Sequence, residues 1–113
     1  MKVNYLKIKP EYFKDIECGV KTFELRKNDR DFEVGDVLML IKLDDEGNET
    51  DQVMRVKVTY VLKDCPDYGL KEGYAILGID ADSIMKYVFN DYGCASTPIN
   101  AHEEGAEAEG ELI

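Results

Sequence analysis

Residues 21–36 read KTFELRKNDRDFEVGD, and this stretch decides how the 113-residue chain is organised. It begins with a predicted strand over residues 22–27, in which apolar and polar residues alternate. Alternation of period two places Phe23 and Leu25 on one face, which we expect to face the core, and the polar residues on the other. The polar residues are Thr22, Glu24 and Arg26.

The charged run KNDRD at residues 27–31 is too polar to form a helix or strand and is predicted to be a loop. Phe32 and the turn Gly35-Asp36 follow it, so the loop lies between two short apolar anchors. Polar loops that are held in place in this way are frequent sites of binding and chemistry. We therefore predict a functional site within this stretch.

Length and composition indicate one soluble domain, because 113 residues can bury a hydrophobic core. The chain has no apolar run of the ~18 residues that a membrane span needs, and its N-terminus lacks the pattern of a signal peptide. We expect a cytoplasmic protein without membrane contact. The three cysteines Cys18, Cys65 and Cys94 form no CxxC pair, so we expect free thiols, no metal and no cofactor.

The formal net charge of −10 is unevenly distributed along the chain. Residues 101–113 contain five glutamates and no lysine or arginine, whereas the first 30 residues contain eight basic and five acidic residues. The basic N-terminal third favours a phosphate-bearing ligand at that place. The chain nevertheless lacks the domain-wide basic surface that is typical of strong nucleic-acid binders.

Further strands and one helix are predicted around the central stretch. A strand over residues 3–8 precedes a helix that begins at Pro10 and ends at Gly19. Three more strands are predicted at residues 37–43, 53–62 and 74–79. In the longest of these, every second residue from Met54 to Leu62 is expected on one face, so that Val58, Tyr60 and Leu62 lie together. This β-α-β-β-β-β order is typical of an α+β fold with a small, mostly antiparallel sheet curled into a barrel.

The C-terminal region is predicted to add one helix and a tail. Asp80 or Asp82 is expected to cap a helix over residues 83–90, whose apolar stripe packs on the barrel. The stripe consists of Ile84, Met85, Val88 and Phe89. Residues 92–113 are rich in Gly, Ala and Glu and are predicted to be a disordered acidic tail, which leaves residues 1–91 as the domain.

Three motifs recur in a known family: PEYF at residues 10–13, KTFELRKNDRDFEVGD at residues 21–36 and GLKEGYAILGI at residues 69–79. With them the chain resembles, over residues 3–79, a bacterial and phage domain-of-unknown-function family in the ASCH (activating signal cointegrator homology) branch of the PUA-like superfamily. The resemblance implies a PUA-like β-barrel with a helix after the first strand. It also implies a cleft beside the GxKT-x-E-x-R strand that binds RNA or a nucleotide-like ligand. Relatives often carry a histidine in the first strand, where this chain has Asn4-Tyr5.

We assign ligand binding first to Lys21, Glu24 and Arg26, because the predicted strand places them at the mouth of the expected cleft. Arg26 is the preferred phosphate contact, since a guanidinium grips an oxyanion with two donors. Lys27 and Arg30 are further candidates for phosphate. Their alternative, which is common in charge-mixed loops, is pairing with neighbouring acids.

Three more residues complete the predicted site. Asn28 and Asp29 carry donors and acceptors that suit base edges, although turn formation is the commoner role of such residues. Tyr68, in a loop rich in glycine, is expected to be exposed and available for stacking on a base. Tyr5, Tyr12 and Tyr74 are candidates of the same kind, with packing at the core or its rim as the alternative.

Two other functions remain open from the sequence. Some ASCH relatives resemble amidohydrolases that act on a modified pyrimidine nucleoside with a lysine, a threonine and a carboxylate. Lys21 occupies the lysine position, but Glu24 replaces the threonine and supplies no hydroxyl nucleophile. Hydrolysis of an acylated pyrimidine nucleoside would instead use Glu24 as general base and Lys21 to hold the oxyanion. The third hypothesis is a protein-interaction module that binds a partner through the acidic tail.

Overall fold

The structure, a computed structural model, describes residues 1–90 and 93–94. Within these residues the chain forms seven β-strands, one α-helix and two short 3₁₀ turns. The strands are β1 (Val3–Ile8), β2 (Phe23–Lys27), β3 (Val37–Leu43), β4 (Glu49–Lys63), β5 (Tyr74–Ile79), β6 (Met85–Asn90) and β7 (Gly93–Cys94). The helix α1 spans Pro10–Glu17, and the 3₁₀ turns cover Pro66–Tyr68 and Ala81–Ser83. The fold is therefore a mixed α+β domain with the predicted helix after the first strand.

The strands form one sheet in the order β1-β3-β4-β5-β2, and β6 and β7 extend it beside β4. β1 and β3 run parallel, and the other described pairings are antiparallel. The prediction of a mostly antiparallel sheet is confirmed. A closed barrel would need β1 and β2, the two ends of this order, to pair with each other. The described strands show no such ladder, so the predicted closed barrel is not shown.

Two apolar clusters hold the sheet together, one on each of its faces. Period-two alternation in β1 contributes Leu6 and Ile8 to the larger cluster and Tyr5 to the smaller one. The helix adds Phe13 and Ile16 to the larger cluster. β3 is buried on both faces, as its almost wholly apolar sequence predicts.

β2 keeps the predicted alternation but reverses the predicted faces. Glu24 and Arg26 are only 1% and 2% exposed, whereas Phe23 is 45% exposed and Leu25 is half-buried. The expectation that Phe23 and Leu25 face the core is therefore wrong. The physical reason is that the two inward charges neutralise each other across hydrogen bonds, which lets the strand bury them together.

The predicted C-terminal helix over residues 83–90 is also wrong. Asp80 does cap an element, since its carboxylate accepts the Asp82 N–H at 3.0 Å, but that element is the 3₁₀ turn Ala81–Ser83. β6 follows and pairs antiparallel with the first half of β4. A short apolar run fits a helix and a strand equally well. Here the backbone N–H and C=O groups along the edge of β4 pair with this run, and it therefore forms a strand.

The remaining C-terminal predictions fall largely outside the described residues. β7, which the sequence placed in the tail, pairs with β6. Residues 91–92 and 95–113, and with them the proposed acidic tail, are outside the description. Cys18 and Cys65 are free thiols, as expected. Among the described residues, every helix is too short or too polar to cross a membrane.

Candidate functional site

Glu24 lies between two cations that the sequence placed in the same site. Lys21 Nζ donates to Glu24 Oε1 at 2.6 Å, and Arg26 Nε donates to Glu24 Oε2 at 2.8 Å. Charge-assisted hydrogen bonds of this length are the strong ones in proteins. We call Lys21, Glu24 and Arg26 the charged cluster. The structure thus brings the three predicted residues together, and it buries two of them.

Arg26 also links β2 to β1. Its Nη2 donates to the backbone carbonyl of Lys7 at 2.5 Å. Arg30 makes a second, weaker link, because its Nη1 lies 3.5 Å from the side-chain oxygen of Asn4. Polar side chains from β2 and from the loop after it therefore contact β1, and we call this contact the polar seam.

Asn4 marks the β1 side of this seam. Its side chain is 9% exposed, and the Nδ2 atom is buried without a hydrogen-bond partner among the described residues. A buried donor left unpaired costs about 1–3 kcal/mol, so the seam holds a polar group at a cost in stability. The sequence assigned Asn4 no role in the site.

The surface end of the charged cluster is aromatic. The Lys21 ammonium lies 4.9 Å from the ring centroids of both Tyr12 and Phe23, and it donates to the Phe23 carbonyl at 2.8 Å. Lys9 approaches the Tyr12 ring as well, at 5.9 Å. These distances are those of cation–π contacts. We call Tyr12 and Phe23, with the Lys21 amine between them, the aromatic rim.

Two residues of the charged loop have the alternative roles that the sequence left open, turn formation and pairing with a neighbouring acid. Asn28 accepts the Phe32 N–H at 3.0 Å and so closes the loop as a turn former. Arg30 lies 3.9 Å from the Asp29 carboxylate, an ion pair within the loop. Lys27 is exposed, and no described contact joins it to the charged cluster.

Tyr68 is 91% exposed at the end of the Pro66–Tyr68 turn, as expected. Its exposure alone assigns it no partner, because no described contact joins it to the charged cluster or the aromatic rim. The sequence did not single out Phe23 as a surface ring. The alternation of Phe23 with the polar residues Glu24 and Arg26 predicted that Phe23 faces the core. In the structure Glu24 and Arg26 pair with each other and are buried instead.

Asp36 holds the far end of the 21–36 stretch. Its carboxylate is fully buried and accepts the N–H of Lys2 at 2.9 Å and that of Glu33 at 2.8 Å. Burial acts to raise the pKa of this carboxyl, but the two backbone N–H groups and the Lys2 ammonium outweigh it, so the pKa lies below the ordinary value of 3.8. The sequence assigned Asp36 only to a turn, and its role as an anchor was missed.

Two hollows are described beside α1, and neither contains a member of the charged cluster. One of about 470 Å³ lies between the helix and Lys42, and it includes Cys18. The other, of about 340 Å³, lies between Lys9 and the turn after β3. Among the described residues, no group of three His, Cys, Asp or Glu side chains is arranged to hold a metal.

These features define a small α+β domain in which one helix packs on a mostly antiparallel sheet and β2 carries a buried charge pair. The chain belongs to the family described as Domain of unknown function (DUF3850), whose model matches residues 3–79. The match includes the charged cluster and the aromatic rim, and it ends with β5. No curated protein matches the chain.

Proposed function

We propose that this domain is an ASCH-type, PUA-like module that binds RNA or a nucleotide-like ligand at the aromatic rim. One observation carries the proposal: the Lys21 ammonium is fixed between the rings of Tyr12 and Phe23, at 4.9 Å from each. A cation beside stacking surfaces suits a phosphate joined to a base. The basic N-terminal third of the chain supports the same class of ligand.

The ammonium of Lys21 is the expected phosphate contact. It has three N–H donors, of which two have acceptors in the described structure, the Phe23 carbonyl and the Glu24 carboxylate. We expect the third to donate to a phosphate oxygen. The Lys21 side chain is 13% exposed, and its amine is held in place by the Phe23 carbonyl and the Glu24 carboxylate. Such preorganisation lowers the entropy lost on binding.

Arg26 has a different role in this proposal from the one that the sequence suggested. It is 2% exposed, and it donates to Glu24 and to the Lys7 carbonyl. It is therefore a positioning residue: it holds Glu24, and Glu24 holds Lys21. Burying two charges costs several kcal/mol unless their pairing and hydrogen bonds repay it.

The geometry supports binding better than hydrolysis. General-base catalysis by Glu24 needs a carboxylate oxygen that reaches a water molecule. Glu24 is 1% exposed, and each of its oxygens already accepts a hydrogen bond from a cation. Hydrolysis of an acylated nucleoside thus remains a hypothesis from the sequence without support from the contacts. The acidic interaction module depends on residues outside the description.

Replacement of Lys21 by methionine tests the proposal. Methionine keeps an unbranched side chain between the rings but removes the charge, so we expect affinity for a short single-stranded RNA to fall about tenfold. The slope of log affinity against log salt should also decrease by about 0.7, the value for one phosphate contact on a single strand. Fluorescence anisotropy at several KCl concentrations measures both quantities.

Lys14→Met is the matched control, because Lys14 is exposed on α1 and contacts neither ring. It should leave affinity and salt slope close to those of the unchanged protein. The proposal fails if the unchanged protein binds neither RNA nor free nucleotides, or if Lys21→Met and Lys14→Met bind equally well.

A further inference from the structure

The outer side of β2, β5 and the second half of β4 forms an open apolar sheet face. Strand register aligns its residues in rows, so that Phe23 and Tyr60 both oppose Gly78 and, one row on, Leu25 and Leu62 both oppose Ile76. Tyr74 opposes Lys27 in a third row. We call this surface the open sheet face; its apolar side chains are Phe23, Leu25, Tyr60, Leu62, Tyr74 and Ile76.

An irregularity in β4 creates this face. The sequence predicted Tyr60 and Leu62 on the same side as Val58, but the register with β5 shifts between Val58 and Tyr60. Val58 is fully buried, whereas Tyr60 and Leu62 are 62% and 40% exposed. Val61 packs against the core in their place. A β-bulge that re-aims side chains is a common device beside functional sites.

Gly78 lies between Phe23 and Tyr60 in the first row and has no side chain. A Cβ added to it would lie 3.1 Å from the Tyr60 Cβ, so the position is too tight for a larger residue without a shift. Neighbouring strands are ~4.8 Å apart, which places the Phe23 and Tyr60 backbones ~10 Å apart across the glycine. The two aromatic residues therefore lie on either side of a position that has no side chain.

Cations accompany the rings on this face. The Lys21 amine lies 4.9 Å from the Phe23 ring centroid, and the Lys71 amine lies 5.2 Å from that of Tyr74. Lys27 is exposed at the end of β2, beside Tyr74. Acids neighbour these lysines in sequence at both ends of the face, with Asp64 and Glu72 near Tyr74 and Asp80 and Asp82 directly after β5. Exposed aromatic rings with adjacent cations are the combination that single-strand binding sites use.

We propose that the open sheet face binds single-stranded nucleic acid, with bases stacked on Phe23 and Tyr60 and the backbone following Lys21 towards Lys27 and Lys71. The inference rests on the proposed function and extends it from one nucleotide to a strand. From Phe23 to Lys27 the face is five residues long, and the four steps between them span ~13 Å. At ~3.4 Å per stacked nucleotide it accommodates about four nucleotides. Charge complementarity selects this occupant, because a second copy of the chain would bring like lysines together.

The test is a length series measured with the full chain. Affinity is determined for mixed-sequence RNA of one, two, four and eight nucleotides, for a single-stranded DNA tetramer and for an RNA duplex. We expect affinity to rise at least tenfold from one to four nucleotides and little thereafter, with the duplex binding weakest. RNA that binds more tightly than DNA indicates contacts to the 2′-hydroxyl, and equal affinities indicate recognition through bases and phosphates; both support the proposal.

Tyr60→Ala is the decisive variant, because Tyr60 is exposed and its removal spares the core. We expect it to weaken tetranucleotide binding about 5- to 150-fold, the range for one base–aromatic stack, and to leave mononucleotide binding unchanged. Val34→Ala is the matched control: Val34 is 64% exposed and lies outside the open sheet face. It should change neither affinity.

The outcomes separate the inference from the proposed function. Mononucleotide binding that depends on Lys21, without a gain for longer strands and without an effect of Tyr60→Ala, overturns the inference and leaves the proposed function standing. Absence of binding at every length overturns both. Concentration-dependent dimers that Tyr60→Ala abolishes, in sedimentation runs without nucleic acid, assign the face to a second copy and overturn the inference.

Discussion

Replacement of Glu24 by alanine is expected to lower the free energy of unfolding by about 3–5 kcal/mol, because it leaves the buried Arg26 charge without its partner. Arg26 is 2% exposed, and Glu24 is the carboxylate that its Nε contacts at 2.8 Å. The loss is a large fraction of the ~5–15 kcal/mol that stabilises a domain of ordinary stability. Urea unfolding at pH 7, followed by circular dichroism, measures it.

The double variant Glu24→Leu/Arg26→Met provides the control. Replacing both partners of a buried ion pair by apolar residues of similar volume is often neutral or stabilising, so the double variant should recover most of the stability. It should still bind nucleotide poorly, since Lys21 no longer has the carboxylate that positions it. A Glu24→Ala variant as stable as the unchanged protein would show that the charged cluster contributes little to the fold.

Replacement of Asp36 by asparagine is expected to lower the free energy of unfolding by about 1–3 kcal/mol at pH 7. The carboxylate accepts the backbone N–H groups of Lys2 and Glu33 and lies 3.4 Å from the Lys2 ammonium. An amide keeps one acceptor oxygen but loses the negative charge and places two N–H donors in a fully buried site. Urea unfolding between pH 7 and pH 2.5 measures the difference.

The same variant should change the response to acid. The pKa of Asp36 is lower in the folded protein than the ordinary value of 3.8, because the hydrogen bonds and the Lys2 charge outweigh its burial. Its contribution is therefore fully present above pH 3.8 and is lost as the pH falls through the lower folded-state pKa. The gap between the unchanged protein and Asp36→Asn should close over that window. A gap that stays constant to pH 2.5 would contradict this assignment, and Asp45→Asn, in the exposed turn after β3, is the control.

Local patterns predicted most of the secondary structure correctly because local forces decide it there. Pro10 and Gly19 bracket α1, and the helix ends before a glycine at φ 80°. β1 and β3 have the predicted bounds, and the burial of β3 on both faces follows from its apolar sequence. Element boundaries are reliable where a specific residue sets them.

The errors arise where distant residues decide. The sequence of β2 shows the alternation, but not that Arg26 would reach the Lys7 carbonyl of β1 and be buried together with Glu24 in place of Phe23. The run at residues 85–90 shows apolar residues, but not that β4 offers it a partner. Likewise, the register shift that turns Tyr60 outward depends on β5. In each case contacts with another strand override the local pattern.

The candidate site could be located from the sequence but not built from it. Lys21, Glu24 and Arg26 do meet, but their roles differ from those expected. Arg26, the preferred phosphate contact in the sequence analysis, is buried in the protein interior. Lys21 carries the more exposed positive charge. Tyr12 and Phe23 complete the site because α1 and the start of β2 both approach the same amine. That meeting depends on tertiary packing, which no short motif encodes.

The most direct test of the central claim is a map of amide chemical-shift changes in the ¹⁵N-labelled full chain on titration with a single-stranded RNA tetramer. We predict that the largest changes fall at Lys21, Phe23 and Gly78, and that they extend to Tyr60. Changes confined to the hollow between α1 and Lys42, or no changes at saturating RNA, would contradict a ligand site at the charged cluster and its aromatic rim.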